Sequence, residues 1–153
     1  MKAILLTLTL LFSTHLSYSQ TFKEHNFKVV VVCKLENVLN TDDGSAYQCI
    51  DQSSAITIYR VIFRGFKEQI TDTDTYFNDL KRLSSNTGAA TFITVKGKKG
   101  VQVNENVTVE GHSLKQLSVF FLHKNKSIQI VLVTNSSAPL VLFEKFKTNV
   151  FFL

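Results

Sequence analysis

The side chains of this 153-residue chain best suited to nucleophilic, redox or metal chemistry are two cysteines and a few histidines. Cys33 and Cys49 have fifteen residues between them and form no C-x-x-C pair, the arrangement that activates a thiol for redox work. Their even count fits a disulfide in an oxidising compartment, worth roughly 3 kcal/mol for a loop of this length in the chain-entropy model. No histidine or further cysteine sits at zinc-ligand spacing from either one. His25, His112 and His123 lie far apart in sequence, so a metal or hydrolytic site built on them would have to be assembled by the fold. His123, at the end of an apolar segment, reads most simply as a surface residue.

Charged clusters offer two further candidates. Asp42-Asp43 and the alternating Asp72 and Asp74 suggest calcium, but an EF-type loop needs five or more oxygen ligands ending in a bidentate Glu, and neither run supplies them. Turn and helix-cap roles account for both. Lys96-Gly97-Lys98-Lys99-Gly100 is the densest positive feature, and its glycines would let backbone N–H groups approach an anion. The plainer reading of Lys96, Lys98 and Lys99 is a solvated hairpin turn. The chain contains no G-x-S-x-G elbow, no P-loop and no G-x-G-x-x-G, so no serine-hydrolase or nucleotide motif is legible and no cofactor is implied. Asn106, Asn125 and Asn135 head glycosylation sequons, which matter only in a cell that glycosylates exported protein.

The compartment follows from the first residues. Lys2 precedes a mostly apolar run to Phe12, and Ser17-Tyr18-Ser19 places small residues where a signal peptidase reads them. The run is too short to cross a bilayer, which takes about twenty apolar residues. Residues 1–19 therefore read as a cleavable signal, and residues 20–153 as one domain. Exported chains of this kind reside in the periplasm or outside the cell. Thirteen Phe, one Pro, 44% hydrophobic and 19% charged residues describe a folded globule. Loss of Lys2 with the signal leaves 16 basic residues against 12 acidic ones, a net charge of +4 that serves solubility and, with export, argues against nucleic acid.

The elements that must position these residues follow from periodicity. Phe27–Cys33 is a continuous β-branched run, expected to be buried on both faces, and Tyr47–Ile50 is a short strand expected beside it. Asn37–Ser45 reads as a turn around Asp43-Gly44. Ala55–Arg64 has Thr57, Tyr59, Val61 and Phe63 on one side and isoleucines on the other, the mark of a central strand. Thr71–Asp74 caps a helix whose apolar stripe is Tyr76, Phe77, Leu80 and Leu83. Ala90–Lys96 and Val101–Val109 are strands, the second interrupted at Asn104-Glu105-Asn106. Leu114–His123 and Ser127–Thr134 form a hairpin across Lys124-Asn125-Lys126. Asn135–Ser137 and Pro139 open a last helix with Leu142, Phe143, Phe146 and Val150 on one face, and Phe151-Phe152-Leu153 should dock on the core. The fold class is α+β: an antiparallel β-sheet with two amphipathic helices packed on it.

This order, with the closing Phe143-Glu144-Lys145-Phe146-Lys147-Thr148-Asn149-Val150-Phe151 and the mid-chain Tyr76-Phe77-Asn78-Asp79-Leu80-Lys81-Arg82-Leu83, resembles the PsbP-like group of α/β/α sandwich proteins over residues 55–153. The resemblance rests on element order and transfers no functional residue. It implies a non-catalytic, protein-binding role.

The sequence thus points to an exported, non-enzymatic accessory domain whose partner is another envelope or extracellular protein. Two alternatives stand beside it: an envelope hydrolase with His112 or His123 as base, and a carrier of an apolar ligand between sheet and helix. Export cleaves before Gln20 on this reading. N-terminal sequencing of protein recovered from the envelope or medium should begin at Gln20; a chain still starting at Met1 there would sink the assignment.

Overall fold

The computed structural model describes residues 19–153. Residues 1–18, nearly all of the expected signal, lie outside the described residues. The chain runs β1 (Gln20–Glu24), β2 (Phe27–Val31), β3 (Glu36–Thr41), β4 (Gly44–Asp51), β5 (Thr57–Gly65) and α1 (Thr73–Ser84). It continues through β6 (Ala89–Val95), β7 (Lys98–Val109), β8 (His112–His123), β9 (Lys126–Thr134), α2 (Pro139–Thr148) and β10 (Val150–Phe152). The fold is α+β and its strand pairings are antiparallel, but the strands form two sheets where one was expected. A seven-stranded sheet has the order β3-β4-β5-β9-β8-β7-β6, and a three-stranded sheet has the order β1-β2-β10.

Turn chemistry sets the registers. The hairpins β1–β2, β6–β7, β7–β8 and β8–β9 close through His25-Asn26, Lys96-Gly97, Glu110-Gly111 and Lys124-Asn125, with φ positive at both residues of each pair. That is the type I′ geometry whose twist matches the strands it joins. Asn125 also anchors a distant loop: its Oδ1 accepts from the Ile70 amide at 2.9 Å and its Nδ2 donates to Glu68 O at 3.3 Å. Gly44 opens β4 for a different reason. A Cβ there would lie 2.1 Å from the Phe63 carbonyl oxygen, so only glycine allows β4 to lie this close to β5.

One face of the large sheet is the core. Tyr59, Val61 and Phe63 of β5 lie level with Leu132, Ile130 and Ile128 of β9, and these with Leu117, Val119 and Phe121 of β8. Phe27, Val29 and Val31 of β2 and Val150 of β10 close over that layer, together with Phe143 and Phe146 of α2. Each fully buried side chain of this size contributes on the order of 1.5–3 kcal/mol. β2 therefore buries one face, Phe27, Val29 and Val31, while Lys28 and Val30 stay half-exposed, against the expectation of two buried faces. Val150 leaves the helical stripe because the chain turns at Asn149 and extends into β10. Lys147 on α2 is buried without being orphaned: its Nζ donates to Gln102 Oε1 at 2.7 Å and meets Glu144 Oε1 at 2.6 Å.

The opposite face is covered by α1, which lies over β6 and β7 and reaches Phe120 and Leu122 of β8 and Ser127 of β9. Phe77 packs there on Val101 and Val103, with Tyr76 and Leu80 beside it, while Leu83 is 56% exposed. Asp72 is the N-cap, its Oδ1 accepting from the Thr75 amide at 2.9 Å, and this bond holds its carboxyl below the ordinary range. α2 begins after Ala138, which makes no side-chain cap bond, rather than on the Ser136 or Ser137 hydroxyl. β7 runs unbroken through Asn104–Asn106, because Gln116 donates to Glu105 and Lys115 to Asn106 across the ladder.

Cys33, just past β2, is bonded to Cys49 in β4, with Cα atoms 5.9 Å apart. The expected disulfide is present, yet the two strands are not neighbours: the bond ties the small sheet to the large one. Replacing both cysteines with alanine should lower stability by about 3 kcal/mol, roughly a 10 °C drop in Tm for a domain of this size. An unchanged melting curve for the double variant would show that packing alone holds the two sheets together.

Candidate functional site

The residues singled out in the sequence do not converge. His25 is exposed, beside Glu24 and edge-on to Phe63 at 5.0 Å between ring centroids. His112 is exposed at the start of β8. His123 corrects the surface reading: it is 7% exposed, because β10 folds back over the end of β8. Its Nε2 is 3.3 Å from the Leu153 carbonyl and its ring is 5.4 Å from that of Phe152. Nδ1 is buried with no hydrogen-bond partner among the described residues. Among the described residues no aspartate or serine is hydrogen-bonded to the imidazole, so these residues assemble no base-and-orienter pair at this position. Among the described residues no three His, Cys, Asp or Glu side chains cluster as metal ligands would.

The three hairpin lysines separate onto different partners. Lys96 Nζ lies 5.1 Å from the Phe151 ring centroid and Lys98 Nζ 5.9 Å from that of Phe152. Lys99 pairs with Asp74 at 2.7 Å and lies over Phe92. Each cation sits over an aromatic face, a contact worth about 0.5–1 kcal/mol at exposed sites.

A site not foreseen lies on the outer face of β3–β4–β5, where α1 does not reach. In β5 the core residues alternate with Ile58, Arg60, Ile62 and Arg64, which point away from the core. Across the ladder these meet Ile50, Gln48, Ala46 and Gly44 of β4, and Leu39 of β3 lies beyond Ala46. The small Ala46 and Gly44 leave a trough between larger neighbours. The resulting groove has a volume of about 440 Å³, with Val38, Leu39, Ala46, Ile62 and Phe66 as its apolar lining. Val38 and Leu39 are 55% and 53% exposed. A smaller hollow of about 140 Å³ shares Ile62, Arg64 and Phe66 and continues to Tyr76 and Leu80 of α1.

Two arginines outnumber the single acid of the lining, Asp43, and give the groove its sign. Arg60 donates from Nε and Nη2 to the single acceptor Gln48 Oε1, which fixes the guanidinium plane without neutralising it. Neither Arg60 nor Arg64 is ion-paired with a carboxylate among the described residues. Burial raises the Tyr76 phenol above its ordinary value, its bond to Ser127 and the Arg64 charge opposing the shift. The arrangement can hold an apolar segment and pair a carboxylate with arginine, the side chain whose fork fits that group. It offers no nucleophile activated by a base. The signal in the sequence was the arginine-isoleucine alternation in β5, which puts two cations on one strand face.

No family model matches the chain, and no curated protein matches it. A solved structure from Pseudomonas aeruginosa, PA94, described as a protein of unknown function and a suggested regulator, is similar at 13% identity and a TM-score of 0.42. The match covers 84% of this chain and 90% of that one. A likeness of this degree assigns no function. Among the described residues no helix is long and apolar enough to cross a membrane.

His123 generates a pH prediction. Burial lowers its pKa below the ordinary 6.5, the backbone of Leu153 and, more weakly, of Asn26 opposes this, and the Lys98 and Lys124 charges add to the lowering. A group that resists protonation when folded destabilises the native state as pH falls through its unfolded value. The Tm of the wild type should therefore fall more between pH 7 and pH 5 than that of His123→Gln. Parallel Tm curves would show that β10 tolerates the imidazolium.

Proposed function

We propose that the protein is an exported, non-catalytic binding domain of the cell envelope that holds a segment of another protein in the outer-face groove of β3, β4 and β5. The observation that carries this reading is the groove's composition: exposed Val38 and Leu39, a floor of Ala46 and Ile62, and Arg60 and Arg64, two cations against the single acid of the lining, Asp43, and ion-paired with no carboxylate among the described residues. The chemistry that fits is an apolar segment bearing a carboxylate. The apolar lining removes hydrocarbon from water, while the arginines select the sign of the partner and steer its approach. The resemblance in element order to PsbP-like proteins supports the same non-catalytic role.

A photoreactive residue at Leu39 tests this in the native envelope. The expected result is one discrete protein adduct, absent when the same probe replaces Val141 on the exposed side of α2. Arg60→Glu with Arg64→Glu should reduce that adduct at least about tenfold, the equivalent of 1.4 kcal/mol. An adduct insensitive to the arginine changes, or equal at both probe positions, overturns the groove assignment. No protein adduct, with a co-purifying apolar acid instead, would replace the protein-binding reading with that of a carrier.

A further inference from the structure

The two ends of the seven-stranded sheet are built differently. β3, at one end, carries Glu36, is shifted in register between Asn37 and Leu39, and has its Leu39 carbonyl bonded by Asn37 Nδ2 at 3.2 Å. Charge, bulge and side-chain bonding are the devices by which a sheet edge is kept from pairing with other chains. β6, at the other end, has none of them. Its residues Ala-Ala-Thr-Phe-Ile-Thr-Val include no charge and no proline, and its pairing with β7 runs from Ala89 to Val95 without a shift. Among the described residues no strand bonds the alternate backbone N–H and C=O groups along its outer side.

What flanks this edge indicates what would add to it. On the core side a cleft of about 540 Å³ opens between β6 and α2, lined by Ile93, Val95, Lys96, Glu144, Lys147 and Thr148. On the other side Phe92 is 42% exposed beneath two cations, Lys81 Nζ at 4.7 Å and Lys99 Nζ at 5.0 Å from its ring centroid. The nearby acids are already engaged, Asp74 by Lys99 and Glu144 by Lys147. Lys81 and Lys96 are ion-paired with no carboxylate among the described residues. The edge is thus uncharged along its ladder and positive around it.

We propose that β6 is an acceptor edge: an extended, acidic segment of a partner protein adds to it as an eighth strand. Main-chain hydrogen bonds along β6 supply the affinity, as in other strand additions, and side chains on alternate residues of the added strand reach the α2 cleft or the Phe92 surface. Acidic side chains among them meet Lys81 and Lys96. A second copy of the chain fits less well, since pairing two β6 edges would bring both lysine sets together. This surface lies at the far end of the sheet from the β3–β5 groove and stands independently of it.

The probe is an acetylated, amidated peptide of about eight residues alternating valine and glutamate, a usual strand length, with a valine–glutamine peptide as its neutral counterpart. Amide hydrogen exchange on the intact mature protein is the readout. The acidic peptide should bind saturably and slow exchange at outward amides of residues 89–95 while leaving β3 unchanged. The neutral peptide should bind about tenfold more weakly, and added salt should narrow that difference. Lys96→Glu with Lys81→Glu should remove the preference. The first change leaves the turn intact, because Glu110 holds the equivalent turn position at φ 51° in the next hairpin. Protection at β3 instead of β6, no protection at either edge, or equal binding of both peptides overturns the proposal. So does a protein that alone sediments as a dimer with its β6 amides already protected, which would make a second copy the occupant.

Discussion

Everything else in the structure depends on the small β1–β2–β10 sheet closing over the inner face of the large one. That inner face carries a continuous apolar layer from Tyr59 to Phe121 that would otherwise face water. A single antiparallel sheet can leave one side solvated, but not a side this apolar. The cover comes from both ends of the described chain: β2 is the second strand of the first hairpin and β10 is the final strand, and they meet through Val29–Val150 and Phe27–Phe152. Closing the layer is therefore a long-range event. The Cys33–Cys49 bond reduces its entropic cost by tethering the end of β2 to β4.

The remaining pairings are mostly local. β3–β4–β5 is one meander and β6–β7–β8–β9 another, each closed by short turns. They join along a single seam, β5 against β9, where Thr57 and Thr134 share a buried hydroxyl contact at 2.9 Å and Asn135 Oδ1 accepts from the Ile56 amide. The seam places α1, which lies between the meanders in sequence, over the second of them alone. Asymmetry follows directly. One half of the outer face receives a helix, and the other keeps its isoleucines and arginines in the open. The groove is a consequence of connectivity as much as of composition.

Much of this was legible in the residues, for physical reasons that differ by element. α1 was readable because its cap, stripe and end are local signals: Asp72 bonds Thr75, and Tyr76, Phe77 and Leu80 pack as their spacing requires. The β8–β9 hairpin was readable because apolar runs flank a polar turn. β1, β3 and β10 were not, since each is short, polar or exposed and exists only through its partner strand. His123 was misplaced for the same reason: nothing local tells that a strand from residue 150 onward will cover it. The disulfide was legible as a bond but not as a bridge between sheets. Of the groove, the β5 alternation was visible, but not the absence of any acid opposite it, which only the register of β4 and β5 reveals.

The polar groups inside the fold mark where it has been made rigid and where it has not. Lys147 is buried between α2 and β7 with two polar partners, Gln102 of β7 and the more exposed Glu144 one helical turn before it. A buried polar network bonded in this way fixes one arrangement of its elements. The imidazole of His123 is the opposite case, with one nitrogen unbonded under a three-residue strand. Burying an unpaired polar atom costs about 1–3 kcal/mol. Apolar contacts of Phe152 with Phe27 and Phe121 must offset that cost to keep β10 in place. The cover is consequently firmest where α2 meets the sheet and weakest at the C-terminal strand. Both open surfaces, the arginine groove and the β6 edge, lie on the large sheet, whose ladders do not depend on β10. Among the described residues its strands pair only with one another, and at the β6 end the contact of Lys96 with Phe151 links the sheet to the C-terminal strand.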